Sequence, residues 1–181
     1  MQSSLLGGKT IIVTGGATGI GQAFALTSAA HGARVMVADL NSADETLDLI
    51  KSNGGEASYI KTDVSDEASA KAMAQAAVKW SGRVDGLINN AAYFREVKLT
   101  PFEEISTEIW DRIFDVNVKG IWQCCKGVMP AMRETGGGSI INISSVVAVA
   151  GQPGYLHYVA TKGAVLSMTK GLAKECGSVN V

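Results

Sequence analysis

Apolar and polar positions fall into alternating blocks along this chain. Five short runs rich in β-branched and other apolar residues recur, at residues 9–14, 34–39, 57–62, 84–89 and 139–143. Longer stretches with helical spacing separate and follow them, at 22–30, 44–51, 66–80, 107–132 and 155–175. Short apolar runs bounded by turn residues read as buried strands, and longer periodic stretches read as helices. The boundaries carry their own signals. His31-Gly32 stops the first helix and Asn53-Gly54-Gly55 the second. Ser65 or Asp66 is placed to cap the third. The stretch 107–132 is interrupted in character by Asn117 and Gly120, and a loop through Gly151-Gln152-Pro153-Gly154 leads into the last helix. Strands that alternate with helices form right-handed βαβ units, so the fold class is α/β with a doubly wound parallel sheet. Continuously apolar strands fit burial on both faces.

The first strand runs directly into Thr14-Gly15-Gly16-Ala17-Thr18-Gly19-Ile20-Gly21. Strand, glycine turn and helix in that order are the setting in which backbone N–H groups and a helix N-terminus cradle a pyrophosphate. Chance placement of Thr-Gly-x3-Gly-x-Gly gives roughly 0.02 matches in a chain of this composition, so the spacing is specific. The turn points to a Rossmann-type domain over residues 1–181, with Gly15, Thr18, Gly19, Ile20 and Gly21 as candidate cofactor contacts.

Asp39 ends the second strand, 18 residues after Gly21. A carboxylate there accepts hydrogen bonds from an adenosine ribose and repels a 2′-phosphate. Thr18 and Leu40, where a phosphate pocket would want basic residues, are both neutral. The expected cofactor is therefore NAD rather than NADP. The plainer alternative is that Asp39 caps the next helix. Asp63, at the end of the third strand, can bond an adenine amino group or cap a helix.

Composition narrows the partners. The chain has 181 residues, 46% hydrophobic and 18% charged, with a net charge of −1. That is enough for one domain with a real core. Basic residues are scattered, so no nucleic-acid partner is expected. No apolar run approaches a membrane span, and Met1 to Gly8 lacks a signal-peptide pattern, so no membrane partner is expected either. The three cysteines, Cys124, Cys125 and Cys176, sit in no metal-ligand spacing. The expectation is a reduced, cytoplasmic protein with no structural metal.

Tyr158 and Lys162 stand four apart, on one helix face. Tyr-x3-Lys alone is weak, at about 0.24 chance matches per chain. Ser145, thirteen residues before Tyr158, adds weight. With these residues the chain resembles the short-chain dehydrogenase/reductase family along its whole length. The resemblance rests on the glycine turn, Asp63-Val64, Asn89-Asn90-Ala91-Ala92, Asn117, Ile143-Ser144-Ser145 and Tyr158-x3-Lys162. Thr18 fits the short, single-domain branch, since the extended branch has Gly there. The family usually has Gly where Ala92 stands, and the extra methyl narrows the approach to the cofactor ribose.

The resemblance implies an oxidoreductase that moves a hydride between NAD and a secondary alcohol or ketone. Free tyrosine has a pKa near 10, and a neighbouring cation is needed to make it a base at neutral pH. Tyr158 is then the acid/base, assisted by the Lys162 charge, and Ser145 bonds the substrate oxygen. The resemblance also implies that Lys162 holds the nicotinamide ribose, that Asn117 supports a water beside Lys162, and that Val64, Asn90 and Ala91 meet the cofactor. Ser144 reads as structural, His157 as a wall residue, and Tyr93-Phe94-Arg95 as a loop bordering the substrate pocket. Ile109, Trp110, Phe114 and Trp122 on one late helix, and Val165, Leu166 and Met168 on the other, leave apolar surface all round. That implies a homodimer or homotetramer. Family members normally continue past the point where this chain stops, through a sixth strand, a substrate-covering segment and a seventh strand. The resemblance therefore implies a domain incomplete at its C-terminus, with the last strands missing, an exposed edge at 139–143 and a loosened nicotinamide half. A non-catalytic nucleotide-binding or assembly module is the alternative function.

Overall fold

The computed structural model describes residues 4–181. Its frame is a five-stranded sheet in the order β3-β2-β1-β4-β5. The strands are β1 (Thr10–Thr14), β2 (Arg34–Asp39), β3 (Glu56–Lys61), β4 (Gly86–Asn89) and β5 (Ser139–Asn142). Every pairing is parallel. The register sets Thr14 level with Ala38 on one side and Asn89 on the other, so the carboxyl ends of β1, β2 and β4 open at one height. The strand order reverses between β1 and β4, and it is outside the carboxyl ends at such a switch point that α/β sheets bind ligands.

Alternation along the strands divides the core in two. Ile11, Val13, Val35, Val37 and Ile88 face one side, where α1 (Gly19–Ala30) and α2 (Asp44–Ser52) cover them with Ala25, Ala29 and Ile50. Ile12, Met36 and Leu87 face the other. There α3 (Glu67–Ser81), α5 (Gly120–Glu134) and α7 (Leu156–Cys176) supply Met73, Val128, Met132 and Val165. The two-sided burial expected of all strands holds for β1, β2 and β4. It fails for β3 and β5, which pair on one side only among the described residues and are half-exposed. Ile141 of β5 is 49% exposed. The covering helices centre on the middle strands, and the edges receive less of them.

Local chemistry explains the helix ends. Gly32 takes φ +90 just past α1, and Gly82 takes φ +83 at the end of α3. Asp66 caps α3 by accepting from the Ser69 N–H at 2.6 Å, which settles the Ser65-or-Asp66 choice. The long stretch from residue 107 resolves into α4 (Thr107–Phe114), a widened π-type turn at Asp115–Lys119, and α5. Gly120 stands where a Cβ would come within 2.8 Å of a Val64 methyl, so glycine lets α5 lie close to the loop after β3. Three short pieces carry too few residues for a periodic signal: single turns at Phe102–Glu104 and Gly177–Val179, and α6 (Val147–Ala150). The late helices are less bare than their sequence implies. Ile113, Ile121 and Val128 are buried inside the chain, while Ile109, Trp122 and Leu166 remain exposed. Among the described residues no helix is long and apolar enough to cross a membrane.

At the opposite end of the sheet Asp85 ties the start of β4 to β1. Its nearly buried carboxylate accepts from Lys9 at 3.1 Å, from the Thr10 N–H at 2.9 Å and from Arg83 at 2.5 and 2.7 Å. Burial works to raise its pKa, but the Arg83 and Thr10 bonds outweigh it, and the carboxyl titrates below its ordinary value. Removing such a carboxylate strands donors that have no other partner. Asp85→Ala is expected to cost about 2 kcal/mol in urea unfolding. Arg34→Ala, which breaks the exposed Arg34–Glu56 pair, is expected to cost under about 0.5 kcal/mol. Equal losses in the two variants would contradict this assignment.

Candidate active site

The crevice at the switch point begins with a knot of backbone between β1 and β4. Thr14 Oγ1 accepts from the N–H groups of both Asn90 and Ala91 at 3.1 Å. The Asn90 carboxamide donates to the carbonyls of Thr14 at 3.1 Å and Gly15 at 3.0 Å. Gly15 has φ +65, and a Cβ on it would lie 2.9 Å from the Ala91 Cα. A Cβ on Gly21 would overlap the Gly15 carbonyl oxygen. Both glycines are therefore packing requirements of the turn. Gly19, at φ +62, is different: its open side faces only Arg95, at 3.8 Å from where a Cβ would begin. Thr18 makes no side-chain cap, and the first turn of α1 carries no acid. The leading N–H groups of α1 thus lack a side-chain partner and face open space, which is what a bound pyrophosphate requires. Ile20, on the first turn of α1, is 68% exposed.

Asp39 sits at the rim of this turn. One carboxylate oxygen accepts from the Ala17 N–H and the other from the Asn41 N–H, each at 3.0 Å. Asp39 is not the cap of α2, whose first residue follows Ala43. Asp63 accepts from the N–H and hydroxyl of Ser65 at 2.9 and 2.6 Å. Burial acts to raise its pKa, but the Ser65 bonds prevail and hold it below the ordinary value. The Val64 side chain turns into the core beside Gly120, which leaves only its backbone to face the crevice.

Ser145, Tyr158 and Lys162 meet across β5 and α7. Ser145 lies just past β5, pulls the Tyr158 pKa down, and accepts from the Val147 N–H at 3.4 Å. Ser144 donates to the Lys162 carbonyl at 2.8 Å, a structural clasp between the loop after β5 and α7. The Lys162 ammonium donates to the Ile143 carbonyl at 2.6 Å and stands 5.5 Å from the Tyr158 ring centroid. Burial pushes the Lys162 pKa down to about 8. The Tyr158 phenol is displaced upward, by burial first, with Ser145 opposing.

The side chain of Asn117 is fully engaged. It accepts from the Tyr93 N–H at 2.7 Å and donates to the Tyr93 carbonyl at 3.3 Å and to Thr161 at 3.4 Å. Only its backbone, in a turn where the usual helical ladder is broken, remains to support a water. His157 is 1% exposed, its Nδ1 finds no partner, and burial lowers its pKa, so it belongs to the core and not to a pocket wall. Asn89 bonds Asn142 at 2.9 Å and Asn142 bonds Thr169 at 3.0 Å, a polar bridge from β4 through β5 to α7. The sequence reading passed over Thr161 and Thr169. Their position on the Tyr158–Lys162 face, at helical spacing, was the available signal. The loop after β4 comes closer than expected: the Phe94 ring lies 4.5 Å from that of Tyr158 and 5.9 Å from that of Tyr155.

A cavity of about 530 Å³ lies at the amino ends of the strands between Leu5, Asp85 and Gly137. It is remote from this chemistry. A second, about 410 Å³, flanks α7 between Phe102, Gly154 and Val159.

Glycine turn, switch-point crevice and Ser-Tyr-Lys group together define a doubly wound α/β protein with these three side chains at the mouth of its crevice. The chain belongs to the short chain dehydrogenase family, whose model matches residues 9–181. That family consists of oxidoreductases that bind a nicotinamide cofactor. An uncharacterized oxidoreductase of Bacillus subtilis, YxbG, is 42% identical over 167 residues, covering 91% of this chain and 60% of that protein. The 3-oxoacyl-(acyl-carrier-protein) reductase FabG of Thermotoga maritima is 38% identical over 180 residues, covering 97% of this chain and 71% of its own length. The solved structure of an NAD+-bound xylitol dehydrogenase superposes with a TM-score of 0.90 at 29% identity, covering 97% of this chain and 68% of that one.

The Lys162 shift fixes a pH dependence. Its folded value of about 8 lies below the ordinary 10.5. Between those values the folded chain binds fewer protons than the unfolded one, so stability rises with pH across that window. Below pH 8 the buried charge destabilises. Urea unfolding between pH 7.5 and 9.5 is expected to show the ligand-free chain gaining on Lys162→Met by at most about 1.4 kcal/mol per pH unit. Parallel curves for the two proteins would mean that Lys162 is solvated.

Proposed function

We propose that this chain is an NAD-dependent oxidoreductase that interconverts a secondary alcohol and a ketone. The observation that carries the reading is the meeting of Ser145, Tyr158 and Lys162 beside a glycine turn with unpartnered N–H groups. The residues fit the cofactor. Gly15, Thr18, Gly19, Ile20 and Gly21 hold its pyrophosphate end, Asp39 its adenosine ribose, and Asp63 with the Val64 backbone its adenine. Asn90 and Ala91 brace the turn from the β4 side, and Lys162 reaches the nicotinamide ribose. When bound, NAD supplies the hydride acceptor and a positive charge.

The remaining work falls to the chain. Tyr158 Oη takes the proton of the substrate hydroxyl in oxidation and returns it in reduction. Ser145 Oγ donates to the substrate oxygen and holds it against that phenol. An ammonium turned from the Ile143 carbonyl toward the phenol favours phenolate, and Asn117 keeps the π-type turn behind it in place. Ser145 and Tyr158 would hold one substrate oxygen between them for proton transfer. The alternative reading is a non-catalytic nucleotide-binding or assembly module.

A panel of secondary alcohols assayed for NADH formation separates the two. Turnover is expected, and Tyr158→Phe is expected to lower it by roughly 10²–10⁴-fold with the fold intact. Near-normal rates in Tyr158→Phe would reject the acid/base assignment, and no turnover on any alcohol would favour the module. NAD is expected to bind about tenfold or more tightly than NADP, because Asp39 opposes a 2′-phosphate. Asp39→Ala with Leu40→Arg is expected to reverse that preference. Exposed Ile109, Trp122 and Leu166 support pairing of two copies through α4, α5 and α7. Sedimentation at micromolar concentration is expected to give a dimer or tetramer.

A further inference from the structure

The loop between β4 and α4 spans the whole crevice. It is fixed at one end by the Ala91 and Tyr93 N–H groups on Thr14 and Asn117. At the other end the Thr100 N–H donates to the Gly154 carbonyl at 3.0 Å. Between these ties Phe94 packs on Tyr158, and the next residue, Arg95, reaches the opposite wall. Its guanidinium comes within 3.8 Å of the point where a side chain on Gly19 would begin.

That position is electrostatically odd for a cation. The N-terminus of α1 is the positive end of a helix dipole, and it has no acid in its first turn to offset the charge. Arg34, Arg83 and Arg112 each spend their guanidinium on a carboxylate or a hydroxyl, whereas Arg133, like Arg95, does not. Among the described residues Arg95 makes no ion pair and no hydrogen bond. The Arg95 guanidinium and the backbone of the glycine turn at Gly19 therefore lie close together. A group with several anionic oxygens satisfies both, and a guanidinium fork matches phosphate oxygens in pairs.

We propose that Arg95 is a phosphate-binding residue of the nucleotide site, sharing the cofactor's pyrophosphate with the N–H groups around Gly19. The proposal rests on the nucleotide-binding reading above. It makes the loop a strap whose one residue grips the phosphates while its neighbour lies on the acid/base tyrosine.

ADP is the probe, because it carries the pyrophosphate without the nicotinamide and is read by calorimetry with no turnover. Arg95→Gln is expected to weaken ADP and NAD binding by about tenfold and to flatten the salt dependence of ADP affinity. Arg95→Lys, which keeps the charge and loses the fork, is expected to recover part of the loss. Arg95 is exposed, so both variants should keep the circular dichroism spectrum of the parent. A parent chain that binds ADP while Arg95→Gln binds it equally well overturns the Arg95 proposal and leaves the nucleotide reading standing. A parent chain that binds neither ADP nor NAD overturns the nucleotide reading and this proposal with it.

Discussion

Where β1 and β4 end side by side, two loops lie closer together than side chains allow. The close approach is steric before it is chemical. Gly15 has the Ala91 backbone against it, Gly21 has the Gly15 carbonyl against it, and Asn90 and Thr14 stitch the two loops together with four hydrogen bonds. A methyl at Gly15 or Gly21 forces these loops apart. The rest of the site follows from this knot, since it sets the direction of α1, the exposure of its N–H groups and the starting point of the loop that ends on Tyr158.

On the far side of the crevice the controlling constraint is burial. Tyr158 and Lys162 sit on α7 in a half-buried layer where charge is costly, and burial favours the neutral form of each, moving the phenol pKa up and the ammonium pKa down. The Lys162 ammonium is bonded to the Ile143 carbonyl. A phenolate needs added positive charge or a rearranged ammonium.

Fold and site differ in how far they were legible. Periodicity gave five strands, the helices between them and the parallel order, because a strand buried on both faces has no choice but to be apolar. β2 begins and ends where its apolar run does, at Arg34 and Asp39. The edges were misjudged: β3, Glu56–Lys61, already carries Glu, Ser and Lys among its apolar residues, while the exposure of Ile141 in β5 depends on which strands neighbour it. Spacing puts Tyr158 and Lys162 on one helix face, but that spacing alone is weak, and the choice of Ser145 and the three roles came from the family resemblance. The orientation of Lys162, the burial of His157 and the engagement of the Asn117 amide were not legible. Each depends on a partner far away in the chain, such as Ile143 or Tyr93. The width of the turn at Asp115–Lys119 belongs to the same class, for the sequence marked the interruption but not that it would seat Asn117 against Tyr93.

Asn117 joins the two halves of this account. Its side chain holds Tyr93 by both backbone groups, and Tyr93 immediately precedes the residues that touch Tyr158 and the glycine turn. The π-type turn costs helical hydrogen bonds, and a helix accepts that cost only where tertiary contacts over-determine it. Here the return is a buried amide that fixes one end of a loop whose own residues are exposed and polar or aromatic, with little core of their own to hold them. Without that anchor Phe94 and Arg95 have no fixed starting point. The interruption in the helix and the order of the crevice loop are therefore one feature, seen from two elements.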